Sequence, residues 1–116
     1  MTLTGAHVIL YSSDAETDRA FLRDVLEFRS VDVGHGWLIF KLPPAEVAVH
    51  PADGPPLTEL YLMCGDLKAT MEALAAKGVQ CDAIDRARWG MKTAFRLPGG
   101  GHIGLYQPAH PTALDL

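Results

Sequence analysis

A short motif occurs twice in this sequence, as Phe40-Lys41-Leu42-Pro43 and again, about 55 residues later, as Phe95-Arg96-Leu97-Pro98. An apolar segment follows each copy, Val47-Ala48-Val49 after the first and Ile103-Gly104-Leu105 after the second. A four-residue match could arise by chance, but the same order of elements surrounds both copies. The chain therefore contains two copies of one structural unit.

The two units are predicted to be modules of one domain that covers residues 1–116. The first module covers 5–51 and the second 57–108. Between them lies a predicted linker, 52–56, which is rich in glycine and proline. A loose tail, 109–116, follows the second module. One module of about 50 residues buries too little apolar surface to fold alone, so the two are expected to pack together.

Each module contains one predicted helix, at 14–27 and at 66–77. An aspartate, Asp14 or Asp66, can cap the first turn of each helix, and Gly78 closes the second one. Apolar residues recur at helical spacing, as expected for amphipathic helices. They are Ala15, Phe21, Leu22, Val25 and Leu26 in the first helix, and Leu67, Met71, Leu74 and Ala75 in the second.

The remaining apolar segments predict four strands in each module, because they are bounded by glycine and proline and contain β-branched and aromatic residues. The eight predicted strands cover 7–11, 28–33, 37–42, 47–50, 60–64, 79–84, 91–97 and 103–106. The order βαβββ therefore occurs twice, which predicts an α+β fold.

Composition excludes several classes of function. Ten Lys and Arg residues against fourteen Asp and Glu give a formal charge of −4, and no basic run occurs. This balance disfavours binding to nucleic acid or to an anionic membrane. No apolar run approaches the ~20 residues of a transmembrane helix. Cys64 and Cys81 are predicted to be reduced core thiols, which indicates a cytoplasmic protein.

Three stretches carry a family resemblance. They are His-Val-Ile-Leu-Tyr-Ser-Ser-Asp (7–14), Glu-Leu-Tyr-Leu-Met-Cys-Gly-Asp-Leu (59–67) and Leu-Pro-Gly-Gly-Gly-His-Ile-Gly-Leu-Tyr-Gln-Pro (97–108). With the tandem modules, they resemble the vicinal oxygen chelate superfamily, which includes glyoxalase I, extradiol dioxygenases, fosfomycin-resistance proteins and bleomycin-binding proteins. The resemblance implies a curved eight-stranded mixed sheet with both helices on its convex face and a ligand on its concave face.

The resemblance also implies four metal-ligand positions, which fall on His7, Ala48, Glu59 and Gly104. Only His7 and Glu59 have side chains that bind a divalent metal such as zinc, nickel, manganese or iron. Two side-chain ligands fall short of the three that a catalytic zinc site uses. A displaced site that recruits His50 or His102 is the alternative, and without metal His7 and Glu59 are expected to form a hydrogen-bonded pair.

Alternation along the strands predicts which side chains line the concave face. The predicted ligand-binding residues are Tyr11, His50, Tyr61, Met63, His102 and Tyr106. The opposite face is uniformly aliphatic, with Val8, Leu10, Val47, Val49, Leu60, Leu62, Ile103 and Leu105. The polar and aromatic face is either a ligand pocket or a partly solvated surface. Trp37 and Trp89 either pack at the rim or stack on a planar ligand.

Three functions fit this sequence. The first is a metal-free binding protein for a small organic molecule, cationic or aromatic in character. The second is a metal-dependent enzyme of the glyoxalase or dioxygenase type that uses His7 and Glu59. The third is a protein-interaction module. No catalytic residue is assigned. The resemblance implies a homodimer, since family members of this length pair modules between chains to complete the cleft, and a twofold dimer is also the commonest homo-oligomer.

Overall fold

The computed structural model describes Met1 and residues 5–116, and contains two helices and six strands in that part of the chain. In chain order the elements are α1 (Ala15–Asp24), β1 (Ser30–Asp32), β2 (Leu38–Phe40), β3 (Tyr61–Met63), α2 (Leu67–Ala76), β4 (Asp85–Ala87), β5 (Gly90–Arg96) and β6 (His102–Pro108). The predicted α+β class is confirmed. Neither helix has the length or the apolar character of a membrane span among the residues described.

Both helices begin at the predicted aspartates. The Asp14 carboxylate accepts a hydrogen bond from the backbone N–H of Thr17 at 3.3 Å, and Asp66 accepts one from Ala69 at 3.0 Å. These bonds satisfy N–H groups that have no partner within the helix. Gly78 follows α2 with φ of +81°, a left-handed conformation that favours glycine at a helix end.

The second module forms a four-stranded mixed sheet in the order β3-β6-β5-β4. β3 runs parallel to β6, while β5 pairs antiparallel with both β6 and β4. The strand predicted at 79–84 contributes only a single bridge, from Cys81 to Phe95, and the ladder of β4 begins later, at Asp85. The order βαβββ is present in this half of the chain.

The core lies between this sheet and the two helices. Leu67 of α2, Phe95 of β5 and Ile103 of β6 are fully buried. Phe21 of α1 packs against the same core, with its ring centroid 6.0 Å from that of Phe95. Both helices therefore cover one face of the four-stranded sheet and leave the other face open.

Two hydrogen bonds tie the start of α1 to the glycine-rich hairpin between β5 and β6. Asp18, only 7% exposed, accepts a bond from the backbone N–H of Gly99 at 2.7 Å. The Ser13 hydroxyl donates to the Gly99 carbonyl at 2.9 Å. A Cβ atom at Gly99 would collide with the side chains of Ser12 and Asp18, so this contact requires glycine.

Among the described residues, the only strands of the first module are β1 and β2, which form a separate two-stranded sheet. The segments predicted as strands at 7–11 and 47–50 are not strands in the single chain, so the predicted eight-stranded sheet is not confirmed. The side chains of Val47 and Val49 are 91% and 95% exposed. A β-strand is stabilised by its ladder with a neighbour, and neither segment has one within the described chain.

Candidate functional site

Four rings gather on the open face of the four-stranded sheet, around Tyr106 of β6. The ring centroid of Tyr106 lies 5.4 Å from that of Trp89, 6.2 Å from that of Tyr61 and 5.7 Å from that of His110. Trp89 and Tyr61 meet it edge to face, at 63° and 74°, whereas His110 stacks at 29°. We call Tyr61, Trp89 and Tyr106 the aromatic cluster, against which the His110 ring lies.

Strand alternation places this cluster opposite the core. Ile103 and Leu105, the neighbours of Tyr106 along β6, are buried under the helices, and Leu62 of β3 packs there too. Tyr61 and Tyr106 consequently point to the open face. The predicted division into an aliphatic and an aromatic face is present in the second module.

Two glycines leave room for the tyrosine rings to pack closely against the backbone of the sheet. Gly104 is the register partner of Tyr61, and a Cβ atom there would overlap the Tyr61 ring. Gly90, at φ of +153°, has no room for a Cβ because the Cε2 atom of Tyr106 would lie 2.6 Å away. The cluster thus rests on a floor without side chains.

Backbone hydrogen bonds hold the cluster together. The Tyr106 hydroxyl donates to the carbonyl oxygen of Trp89 at 3.0 Å, and the N–H of Ala109 donates to the same oxygen at 2.9 Å. The Glu46 carboxylate accepts a bond from the N–H of Ala113 at 2.7 Å. Burial raises the pKa of the Tyr106 hydroxyl, and the negative charge of Glu46 raises that pKa further.

Charged groups surround the rings. The Lys92 ammonium lies 5.4 Å from the Trp89 ring centroid and 3.8 Å from the Asp85 carboxylate. A negative charge lies beside Tyr61, whose hydroxyl is 3.5 Å from the Glu59 carboxylate. The open face can therefore offer aromatic surface together with groups of both charges.

The structure brings some of the predicted site residues together and leaves others apart. Tyr61 and Tyr106 belong to the aromatic cluster, and Met63 is half-buried opposite Tyr106 in the β3–β6 register. His102 is exposed at the start of β6. Tyr11 and His50 are exposed in the first module, away from any strand. Their role at the site stays a prediction.

The implied metal ligands do not converge within one chain. Among residues 5–116, no hydrogen bond or ion pair joins His7 to Glu59, and no group of three or more His, Cys, Asp or Glu side chains is close enough to hold a metal ion. The Tyr61 ring occupies the space over Gly104 where a fourth ligand would project. The donor set of the single chain does not fit the divalent metal that the resemblance implies.

His7 instead lines a cavity of about 420 Å³ between the N-terminal segment, α1 and β2. Its wall is mostly apolar, with Leu10, Leu22 and Phe40 among the lining residues. Beside it, the Arg19 guanidinium lies 4.5 Å from the ring centroid of Trp37. Most of the cavity's lining residues lie in the first module, Leu60, Leu97 and Ile103 come from the second, and none of them belongs to the aromatic cluster.

Sequence reasoning did not assign three residues of the open face. The sequence leaves two roles for Trp89, packing at the rim or stacking on a ligand. Because Trp89 lies in a turn next to β5, strand alternation does not predict which way its ring points. Glu46 lies between predicted strands. His110 lies in the tail that was expected to be loose, and no periodic pattern marks it. Only the tertiary contacts of the tail reveal its place.

No protein-family model and no curated protein matches this sequence. Solved structures do match. TnmS3, an antibiotic binding protein from Streptomyces sp. CB03234, is 28% identical with a TM-score of 0.65 over 93% of this chain and 100% of its own. A glyoxalase/bleomycin resistance protein from the same organism is 29% identical with a TM-score of 0.57, over 83% of this chain and 93% of its own. Lactoylglutathione lyase from Agrobacterium tumefaciens shares the fold at 19% identity and a TM-score of 0.60, over 90% of this chain and 92% of its own.

The chain is thus similar to glyoxalase/bleomycin resistance proteins, which share its small α+β fold. The matched structures belong to the vicinal oxygen chelate superfamily, so the resemblance predicted from the repeated modules and the closing hairpin is confirmed.

Proposed function

We propose that this protein binds a small organic molecule on the open face of its second module, without a resident divalent metal. The observation that carries the proposal is the aromatic cluster, in which Tyr61, Trp89 and Tyr106 form a wall above Gly90 and Gly104. Ligand sites of this kind combine aromatic walls with a few polar groups that orient the ligand. The likeness to TnmS3, an antibiotic binding protein, supports this choice.

The site is completed in a homodimer. Support comes from apolar side chains that the single chain leaves in solvent, above all Val47, Val49 and Ile9, which are 91%, 95% and 62% exposed. β3 is an edge strand of its sheet, so its outer hydrogen-bonding groups are available to a strand from a second copy. Pairing of this kind would bring Tyr11 and His50 of a second chain near the aromatic cluster.

The same geometry supports the proposal that no divalent metal is resident. Tyr61 over Gly104 blocks one of the four ligand positions, and Ala48 at another has no donor atom. Elemental analysis of protein purified without chelators is expected to find far less than one divalent ion per chain. One tightly held ion per dimer site, with a melting temperature that falls on its removal, would instead favour the enzyme that uses His7 and Glu59.

Binding is tested with a matched pair of tryptophan variants. A panel of aromatic compounds and antibiotics is screened by thermal shift against the wild type, Trp89→Leu and Trp37→Leu. Trp89 is 41% exposed and Trp37 is 60% exposed, so neither change removes core packing. A compound that raises the melting temperature of the wild type and of Trp37→Leu, but not of Trp89→Leu, supports the proposal. Equal shifts in all three proteins contradict the location of the site.

A further inference from the structure

The ring of the tail residue His110 covers the aromatic cluster in the position that a stacked ligand could take. Of the three rings around Tyr106, two meet it edge to face, and only the His110 imidazole lies nearly parallel to it. A nearly parallel ring occupies the place where a planar ligand would stack. The free protein thus fills its own stacking position with a five-membered nitrogen heterocycle.

The imidazole is held there without a hydrogen bond to the cluster. Its Nδ1 atom lies 2.7 Å from the carbonyl oxygen of its own neighbour Pro111, which can only accept a hydrogen bond. The tail backbone is attached on either side, through the N–H of Ala109 to Trp89 and the N–H of Ala113 to Glu46. Stacking alone connects the ring to Tyr106, so a stronger stacking partner can displace it.

The charges near the rings favour a cation. Glu46 lies close enough for its charge to act on the Tyr106 hydroxyl, and the Glu59 carboxylate lies 3.5 Å from the Tyr61 hydroxyl. Neither carboxylate takes part in an ion pair among residues 5–116. The Lys92 ammonium lies 3.8 Å from the Asp85 carboxylate, which offsets its charge, and 5.4 Å from the Trp89 ring centroid. Electron-rich ring faces next to unpaired carboxylates attract positive charge.

We propose that the aromatic cluster binds a planar aromatic group that carries a positive charge, and that His110 occupies the position of this group until the ligand displaces it. This inference rests on the proposed function and adds the chemical class of the ligand. A planar cation gains both stacking on Tyr106 and attraction to the two carboxylates, whereas a neutral ring gains only the stacking.

The test uses two probes of the same size that differ in charge. These are 1-methylquinolinium, a permanent cation, and 4-methylquinoline, which is uncharged at pH 8. Isothermal titration of the full-length protein at pH 8 is expected to give about tenfold tighter binding of the cation. In the double variant Glu46→Gln, Glu59→Gln this preference should disappear. Glutamine keeps the oxygen that accepts the N–H of Ala113, so the tail contact is retained.

The role of His110 is tested with a matched histidine. His110→Asn removes the stacked ring and is expected to tighten binding of 1-methylquinolinium about threefold, because the site no longer has to open. His35→Asn is the control, since His35 is exposed in a turn at φ of +54°, a conformation that asparagine tolerates. The His35→Asn variant should bind 1-methylquinolinium with the same affinity as the wild type.

Two results would overturn the inference. Equal affinity for both probes would contradict the preference for a cation. Weaker binding of 1-methylquinolinium by His110→Asn would show that His110 contacts the ligand and does not occupy the ligand's position. The proposed function can survive either result. If neither quinoline binds while the thermal-shift panel yields a compound that depends on Trp89, the inference alone fails. If no compound in either experiment depends on Trp89, the proposed function fails with it.

Discussion

Two glycines shape the open face by leaving room for aromatic rings. Gly104 lies beneath Tyr61, and Gly90 lies beneath Tyr106, so each ring packs directly on the backbone of the neighbouring strand. Glycine normally weakens a strand, and its presence in a strand often marks a close approach of another group. Here the groups that approach are the two tyrosine rings of the aromatic cluster. Gly104 stands where the resemblance implies a metal ligand, and it leaves space for the Tyr61 ring.

Gly104→Ala is therefore expected to destabilise the protein. The added methyl group overlaps the Tyr61 ring, which must leave its position, and overpacking of this kind costs about 1–3 kcal/mol. Gly101→Ala is the control, because the nearest atom to its new methyl group is a terminal carbon of Leu97 at 3.8 Å. Urea unfolding followed by circular dichroism measures the free energy of unfolding of both variants. Equal stability of the two variants would show that the Tyr61 ring does not require this space.

At the scale of elements, α1 is attached to the second module by a core contact and by a buried hydrogen bond. Phe21 packs on the core around Phe95, and Asp18 binds the backbone of Gly99. A buried carboxylate that accepts a backbone N–H stabilises both partners, since the orphaned N–H would otherwise be costly. This contact fixes the start of β6, and thereby the strand that presents Tyr106.

Loss of that contact has a measurable consequence. Asp18→Ala leaves the N–H of Gly99 without its partner and is expected to lower the free energy of unfolding by about 1–3 kcal/mol. Asp18→Asn keeps an oxygen that accepts the hydrogen bond and should lower the free energy of unfolding by less. Asp24→Ala serves as the control, because Asp24 is exposed and bonds only to its neighbour Arg23. If Asp24→Ala lowered the free energy of unfolding as much as Asp18→Ala, the hydrogen bond from Gly99 to Asp18 would not stabilise the fold as described.

The elements that could be predicted from the sequence are those with local signals. Asp14 and Asp66 mark both helix starts, and alternation along β6 separates Ile103 from Tyr106 correctly. The strand at 47–50 has the same local pattern, yet it forms no ladder, because pairing depends on a neighbour that the pattern cannot specify. For the same reason His110, whose position depends only on tertiary contacts, could not be placed from the sequence.

At the scale of the whole molecule, the exposed apolar segments of the first module point to a second copy of the chain. A stable interface buries more than about 1,000 Å², which requires apolar side chains such as Val47 and Val49. We expect a dimeric mass at tens of micromolar protein by light scattering coupled to size exclusion. Val49→Asp should dissociate it, whereas Val33→Asp, at another exposed valine, should not. A monomeric wild type contradicts the shared cleft.

The central claim is that the ligand binds on the open face of the second module and not in the cavity of the first. Amide chemical shifts of labelled protein, followed by nuclear magnetic resonance during titration with a compound from the thermal-shift panel, test it most directly. We expect saturating shifts at Tyr61, Lys92 and Tyr106. Shifts confined to residues around the 420 Å³ cavity, such as Leu10, Phe40 and Ile103, with none at Tyr61, Lys92 or Tyr106, would contradict this claim.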